Sequence, residues 1–187
     1  MTYLVVGASS GLGRALAERF ASSGNELILV SRDKRDTEAL SAHLTILHGV
    51  KVSPVTIDLA KSPLSYTEID AALQVHQPLK GVLLPAGAND NDDVVGLSDD
   101  KLTYLTRVNY LAPCELLNHY LPLLKNNDGV VIGFGSVATA RGRTQNAAYA
   151  AAKSALQAYF ESLAHSSTHS GMHCQFYILG YLNTNLA

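Results

Sequence analysis

Apolar residues fall along this chain in short runs separated by longer amphipathic stretches. The run Thr-Tyr-Leu-Val-Val at 2–6 is too short for a helix and rich in residues that favour strands. A glycine-rich turn follows, and then Arg14-Ala-Leu-Ala-Glu-Arg-Phe-Ala21, whose apolar positions recur at helical spacing. The alternation repeats, predicting strands at 26–30, 51–57, 81–84, 129–136 and 174–179 and helices at 37–48, 67–77, 102–125 and 147–170. Strands alternating with helices in this way build a parallel sheet with helices on both faces. Pro113 is expected to bend the 102–125 helix just after Asn109, since proline withholds an N–H and crowds the carbonyl four residues back. The polar, acidic segment 89–100 reads as a mobile loop.

Composition narrows the setting. The 187 residues are 47% hydrophobic and 16% charged, which suits one globular α/β domain over 1–187 with a substantial core. The formal charge is −2 and the chain has no Lys/Arg block, so neither nucleic acid nor an acidic membrane surface is the expected partner. Its apolar runs are too short to cross a bilayer, and no signal peptide precedes the first strand. Cys114 and Cys174 lie far apart in sequence and make no disulfide framework, so a cytoplasmic location is expected.

Two stretches carry candidate chemistry. In Gly7-Ala-Ser-Ser-Gly-Leu-Gly13, Gly7 allows a tight turn, Gly11 lets a pyrophosphate approach the backbone and Gly13 permits close helix–sheet packing. Ser9, Ser10 and Leu12 share this turn, and the free N–H groups of the following helix would receive phosphates. In the alanine-rich helix after Asn146, Tyr149 and Lys153 are four apart and share a face. A cation beside a phenol lowers its pKa towards the range useful for general acid–base catalysis. The second strand ends at Ser31-Arg32, with Arg14 on the opposite lip, and two guanidiniums with a hydroxyl suit the extra phosphate of NADP. Asp33 dissents, because a carboxylate there could bind the ribose hydroxyls of NAD. NADP is the favoured cofactor.

The Gly-x-x-x-Gly-x-Gly spacing together with Tyr-x-x-x-Lys resembles the short-chain dehydrogenase/reductase family. That resemblance implies a doubly wound, Rossmann-type sheet of order 3-2-1-4-5-6, and a catalytic set of Asn109, Ser136, Tyr149 and Lys153. In such a site Tyr149 exchanges the hydroxyl proton, Lys153 tunes it and binds the nicotinamide ribose, Ser136 orients the carbonyl and Asn109 holds a relay water. The resemblance also assigns Asp58 and Leu59 to the adenine, although Asp58 reads equally well as a turn or capping residue. Ala86-Gly87 match the family's ribose-side turn, whereas Leu84-Pro85 depart from it. Gly180 and Thr184 would meet the nicotinamide, with Leu179 where the family carries proline.

The reaction so implied is hydride transfer between a nicotinamide and a small-molecule carbonyl or secondary alcohol. The chain stops at Ala187, where single-domain relatives usually continue through a substrate-covering region, so a non-catalytic NADP-binding module or partner subunit is the alternative. A sugar-nucleotide epimerase or dehydratase would need a C-terminal domain not found in this sequence. Relatives pair through the 102–125 and 147–170 helices, where Leu116, Leu117, Leu121, Leu124, Leu156, Tyr159 and Phe160 offer apolar surface, and a homodimer or homotetramer is expected. His165, His169, His173 and Cys174 have no acidic partner and are not read as a metal site.

Overall fold

The computed structural model describes residues 1–166 and 171–182. Within them, β1 (Thr2–Val6), β2 (Glu26–Ser31), β3 (Val52–Thr56), β4 (Leu79–Leu84), β5 (Val130–Ser136) and β6 (His173–Leu179) form one sheet in the order β3-β2-β1-β4-β5-β6. Every neighbouring pair is parallel. The parallel sheet flanked by helices is the one predicted from the alternation of elements, and its order is the doubly wound, Rossmann-type order that the resemblance implies. The order reverses between β1 and β4, which opens a crevice at the carboxyl ends of the central strands.

The two-residue period of the strands divides the core between the faces of the sheet. Val5, Leu27 and Leu29 pack with Ala17 and Ala21 of α1 (Gly11–Ser22) and with Leu40 and Leu44 of α2 (Lys34–His48). Leu4, Val6, Ile28 and Val30 belong to the larger cluster on the other face. There they meet Ile69 of α3 (Thr67–Leu73), Leu105 of α4 (Asp99–Thr106), Leu116 of α5 (Ala112–Asn126) and Phe160 of α6 (Ala147–His165). Among the described residues no helix is long and apolar enough to cross a membrane.

Several expectations need correction. The third helix ends at Leu73, short of Gln77. The predicted 102–125 helix is α4 and α5 joined through a π-helical turn, Arg107–Leu111, and not a bend. Pro113 cannot donate to the Asn109 carbonyl, and the widened turn lets the Ala112 N–H reach the Arg107 carbonyl five residues back. Buried Arg107 braces this turn, donating to the Lys61 carbonyl at 2.8 Å and pairing with Glu115.

The 89–100 segment is not loose. Lys101 ties Asp90 and Asp92 at 3.0 and 2.9 Å, and Asp93 is only 1% exposed. Of the residues read as an oligomer surface, Leu116, Leu117, Leu124, Leu156 and Phe160 are buried in the chain's own core. Leu121 and Tyr159 stay half-buried, and Leu123 adds exposed apolar area on α5.

Candidate active site

The crevice is a cleft of about 900 Å³ running from the turn after β1, across the ends of β4 and β5, to the end of β6. At one end the turn is built around two glycines. Gly7 has φ +92°, and a Cβ there would lie 2.7 Å from the Ala86 Cα; at Gly13 it would lie 2.0 Å from the Gly7 carbonyl oxygen. The backbone of β1, the start of α1 and the turn after β4 therefore meet at distances that exclude side chains. Ser10 caps α1 through its backbone conformation and makes no side-chain cap bond, so the first-turn amides keep no intrahelical acceptor.

Gly7, Ser9, Ser10, Gly11, Leu12 and Gly13 all line the cleft. Beyond them the Ser31 hydroxyl donates to Ser9 at 2.9 Å and accepts the Asp33 N–H at 3.0 Å. Arg32 lines the same lip, with Nη1 donating to the Tyr104 hydroxyl at 3.3 Å. Arg14 is not among the residues lining the cleft: its Nε donates to Glu18 at 3.1 Å, one turn along the exposed face of α1. The Asp33 carboxylate is the N-cap of α2, accepting the Asp36 N–H at 2.9 Å. Asp58 and Leu59 line the cleft, and Asp58 also closes its own turn by accepting the Ala60 N–H at 3.0 Å. Ala86 and Gly87 form the middle of the floor and Gly180 the far end; Thr184 lies outside the described residues.

Of the predicted polar set, Ser136, Tyr149 and Lys153 line the cleft, whereas Asn109 lies behind it. Ser136 ends β5 and caps a short 3₁₀ turn, its Oγ accepting the Ala138 N–H at 3.2 Å. That bond takes one of the oxygen's two lone pairs and leaves the other, together with the O–H, for further partners. Tyr149, in the first turn of α6, lines the same cleft as Ser136, whose hydroxyl favours the ionised phenol. α6 comes this close because β5 lacks side chains beneath it: a Cβ at Gly133 would sit 2.6 Å from the Phe160 ring. One turn on, Lys153 is 3% exposed, and its Nζ donates to the carbonyls of Ala86 at 3.3 Å and Phe134 at 3.1 Å.

Burial sets the protonation of this pair. It pushes the Lys153 ammonium down to about 8. It also raises the Tyr149 phenol above its ordinary value, with the Ser136 hydroxyl pulling the other way. The expectation of a lowered Tyr149 is corrected: desolvation of the phenol dominates and holds it above its ordinary value, while the Lys153 ammonium donates to two carbonyls. Asn109 is fully buried, and its side-chain amide is committed to the backbone of Ala88 and Leu105.

One residue of the site region escaped sequence reasoning. Asp93 reaches α6, its carboxylate accepting the Ala148 and Tyr149 N–H groups at 2.8 Å each. The available signal was the start of α6, where neither Asn146 nor the alanines after it supply an acidic cap. His169 lies outside the described residues, and among the described residues no three metal-binding side chains cluster.

The same architecture recurs in known proteins. The short chain dehydrogenase family model matches residues 1–187. Dehydrogenase/reductase SDR family member 7B of Bos taurus is 30% identical over 190 residues, which cover 98% of this chain and 58% of the relative. Inactive hydroxysteroid dehydrogenase-like protein 1 of Pongo abelii is 26% identical, with 98% and 56% covered. This chain thus spans less than two-thirds of the length of these curated relatives. Among solved structures, a short-chain dehydrogenase from Sphingobium yanoikuyae in complex with NADPH superposes with a TM-score of 0.87 at 27% identity, covering 99% of this chain and 72% of that one. With the glycine turn, Ser136, Tyr149 and Lys153 gathered in one cleft, and with a family match along its whole length, the chain belongs to the short-chain dehydrogenase family.

Proposed function

We propose that this protein is an NADP(H)-dependent oxidoreductase acting on a small carbonyl or secondary alcohol. The observation that carries the reading is the gathering of Ser136, Tyr149 and buried Lys153 in one cleft beside the glycine turn. The side-chain-free cradle of Gly7 and Gly13 and the unsatisfied first turn of α1 fit a pyrophosphate. Ala86, Gly87 and Gly180 would leave room for the nicotinamide half, and Asp58 and Leu59 would border the adenine. The bound nicotinamide supplies or accepts the hydride.

The protein's own residues handle the proton and the charge. Ser136 donates to the substrate oxygen and stabilises the negative charge growing there. Tyr149 gives the oxygen its proton in reduction and removes it in oxidation. Lys153, as the cation behind Tyr149, favours the phenolate when that proton leaves. The Asn109 side chain is already committed, so a relay water would be held by its main-chain oxygen, which Pro113 deprives of the α-helical partner.

NADP is favoured over NAD because Arg32 stands on the lip with Ser31 while the Asp33 carboxylate is engaged at the start of α2. A cytoplasmic setting agrees with Cys114 and Cys174 both being free. Association as a homodimer or homotetramer would use Leu121, Leu123 and Tyr159, and light scattering at micromolar concentration tests it.

The second reading, a non-catalytic NADP-binding module, is favoured by the inactive designation of one relative. NADPH titration by fluorescence followed by a carbonyl panel separates the two. An oxidoreductase turns over, and Tyr149→Phe lowers kcat by about 10²-fold or more while NADPH binding persists. NADPH binding without turnover, indifferent to Tyr149→Phe, would reject the catalytic reading.

A further inference from the structure

We propose that Asp93 is a positioning residue that fixes Tyr149 against Ser136 by holding the first-turn amides of α6; the inference rests on the oxidoreductase reading of that site. α6 opens on Asn146 at φ 59°, with no side-chain cap and no acidic residue in its first turn. Its first internal bond runs from the Ala150 N–H to the Asn146 carbonyl at 2.9 Å, so the amides before Ala150 need acceptors from elsewhere.

Asp93 provides three of them. Its carbonyl accepts the Asn146 N–H at 2.7 Å, Oδ1 accepts Ala148 and Oδ2 accepts Tyr149. A buried carboxylate on helix amides makes charge-assisted bonds and complements the positive end of the helix dipole. The Tyr149 backbone nitrogen is itself anchored, so its Cα cannot drift without breaking a charged hydrogen bond.

The anchor is stiffened in turn. The Asp93 N–H donates to the Asp90 carbonyl at 3.0 Å, Lys101 clamps Asp90 and Asp92, and Val94 bridges Gln145 just before α6. Asp93 does not line the cleft, so it acts through Tyr149 and not on a ligand. A reacting group displaced by about 1 Å costs on the order of 10²-fold in rate.

The test compares wild type, Asp93→Ala and Asp93→Asn in NADPH-dependent carbonyl reduction. Asp93→Ala lowers kcat by about 10²-fold, with KM and the NADPH dissociation constant within about twofold. Asp93→Asn, which keeps one acceptor for one of the two amides, restores part of the loss and serves alone if the alanine variant does not fold. A folded variant with unchanged kcat, or one losing NADPH affinity in step with kcat, overturns the proposal. Should wild type show no turnover, the oxidoreductase reading falls by itself, and the crystal structure of Asp93→Asn decides this proposal separately. A Tyr149 displaced from its place beside Ser136 sustains it and an undisplaced one overturns it.

Discussion

Asn109 grips the backbone of Ala88 in both directions, accepting its N–H at 3.0 Å and donating to its carbonyl at 2.8 Å. The remaining Nδ2 proton goes to the Leu105 carbonyl at 2.9 Å, one turn back on α4. A single buried amide thereby locks the π-helical turn to the segment after β4 that floors the cleft. It replaces the strand-like pairing that a loop backbone at this depth would otherwise lack.

Removing this amide orphans both polar groups of Ala88. Each buried, unsatisfied group costs about 1–3 kcal/mol, so Asn109→Ala should lose about 2–4 kcal/mol of unfolding free energy. Urea denaturation checks this, and a loss below about 1 kcal/mol would show that water or a backbone shift takes over the bonds.

Arg32 gives a test of cofactor choice. Charged hydrogen bonds contribute about 1.5–3 kcal/mol, so Arg32→Ala should weaken NADPH binding by at least about tenfold and leave NADH within about twofold. Parallel changes for both nucleotides would remove the 2′-phosphate from its partners.

The rate of reduction should follow the Lys153 proton. Below pH about 8 the ammonium is charged and supports phenolate formation at Tyr149; above it the charge is lost. The expected profile of kcat/KM for carbonyl reduction is flat near neutrality and falls as pH rises through about 8. A profile that climbs through that range would contradict Lys153 as the cation behind the proton donor.

Paired glycine substitutions separate packing from chain entropy. At Gly13 an added Cβ meets the Gly7 carbonyl at 2.0 Å, whereas at Gly142 nothing lies within 4 Å. Gly13→Ala should cost about 3 kcal/mol through forced displacement, and Gly142→Ala should be neutral or stabilising by up to about 1 kcal/mol. Equal shifts in the urea midpoint would refute the close approach of β1 and α1.

The parts of the fold that could be read in the sequence are those encoded locally. Strand–helix alternation, the glycine turn and the four-residue spacing of Tyr149 and Lys153 depend on periodicity, and the sheet order and the joint placement of Ser136, Tyr149 and Lys153 in one cleft follow that reading. The Arg14–Glu18 pair was also locally legible, since the two residues stand one helical turn apart. Pro113 announced a disturbed helix but not its form, because a bend and a widened turn release the same carbonyl. Asp93 was unreadable for a different reason: which of several neighbouring aspartates reaches α6 is decided by tertiary packing across more than fifty residues.

The buried ammonium of Lys153 has three N–H groups, and two are taken by the Ala86 and Phe134 carbonyls. Any ligand that offers an oxygen to the third restores preference for the cation. Near pH 8 such an association therefore draws a proton out of solution, so the heat of binding depends on the ionisation enthalpy of the buffer, and affinity weakens as the medium becomes alkaline.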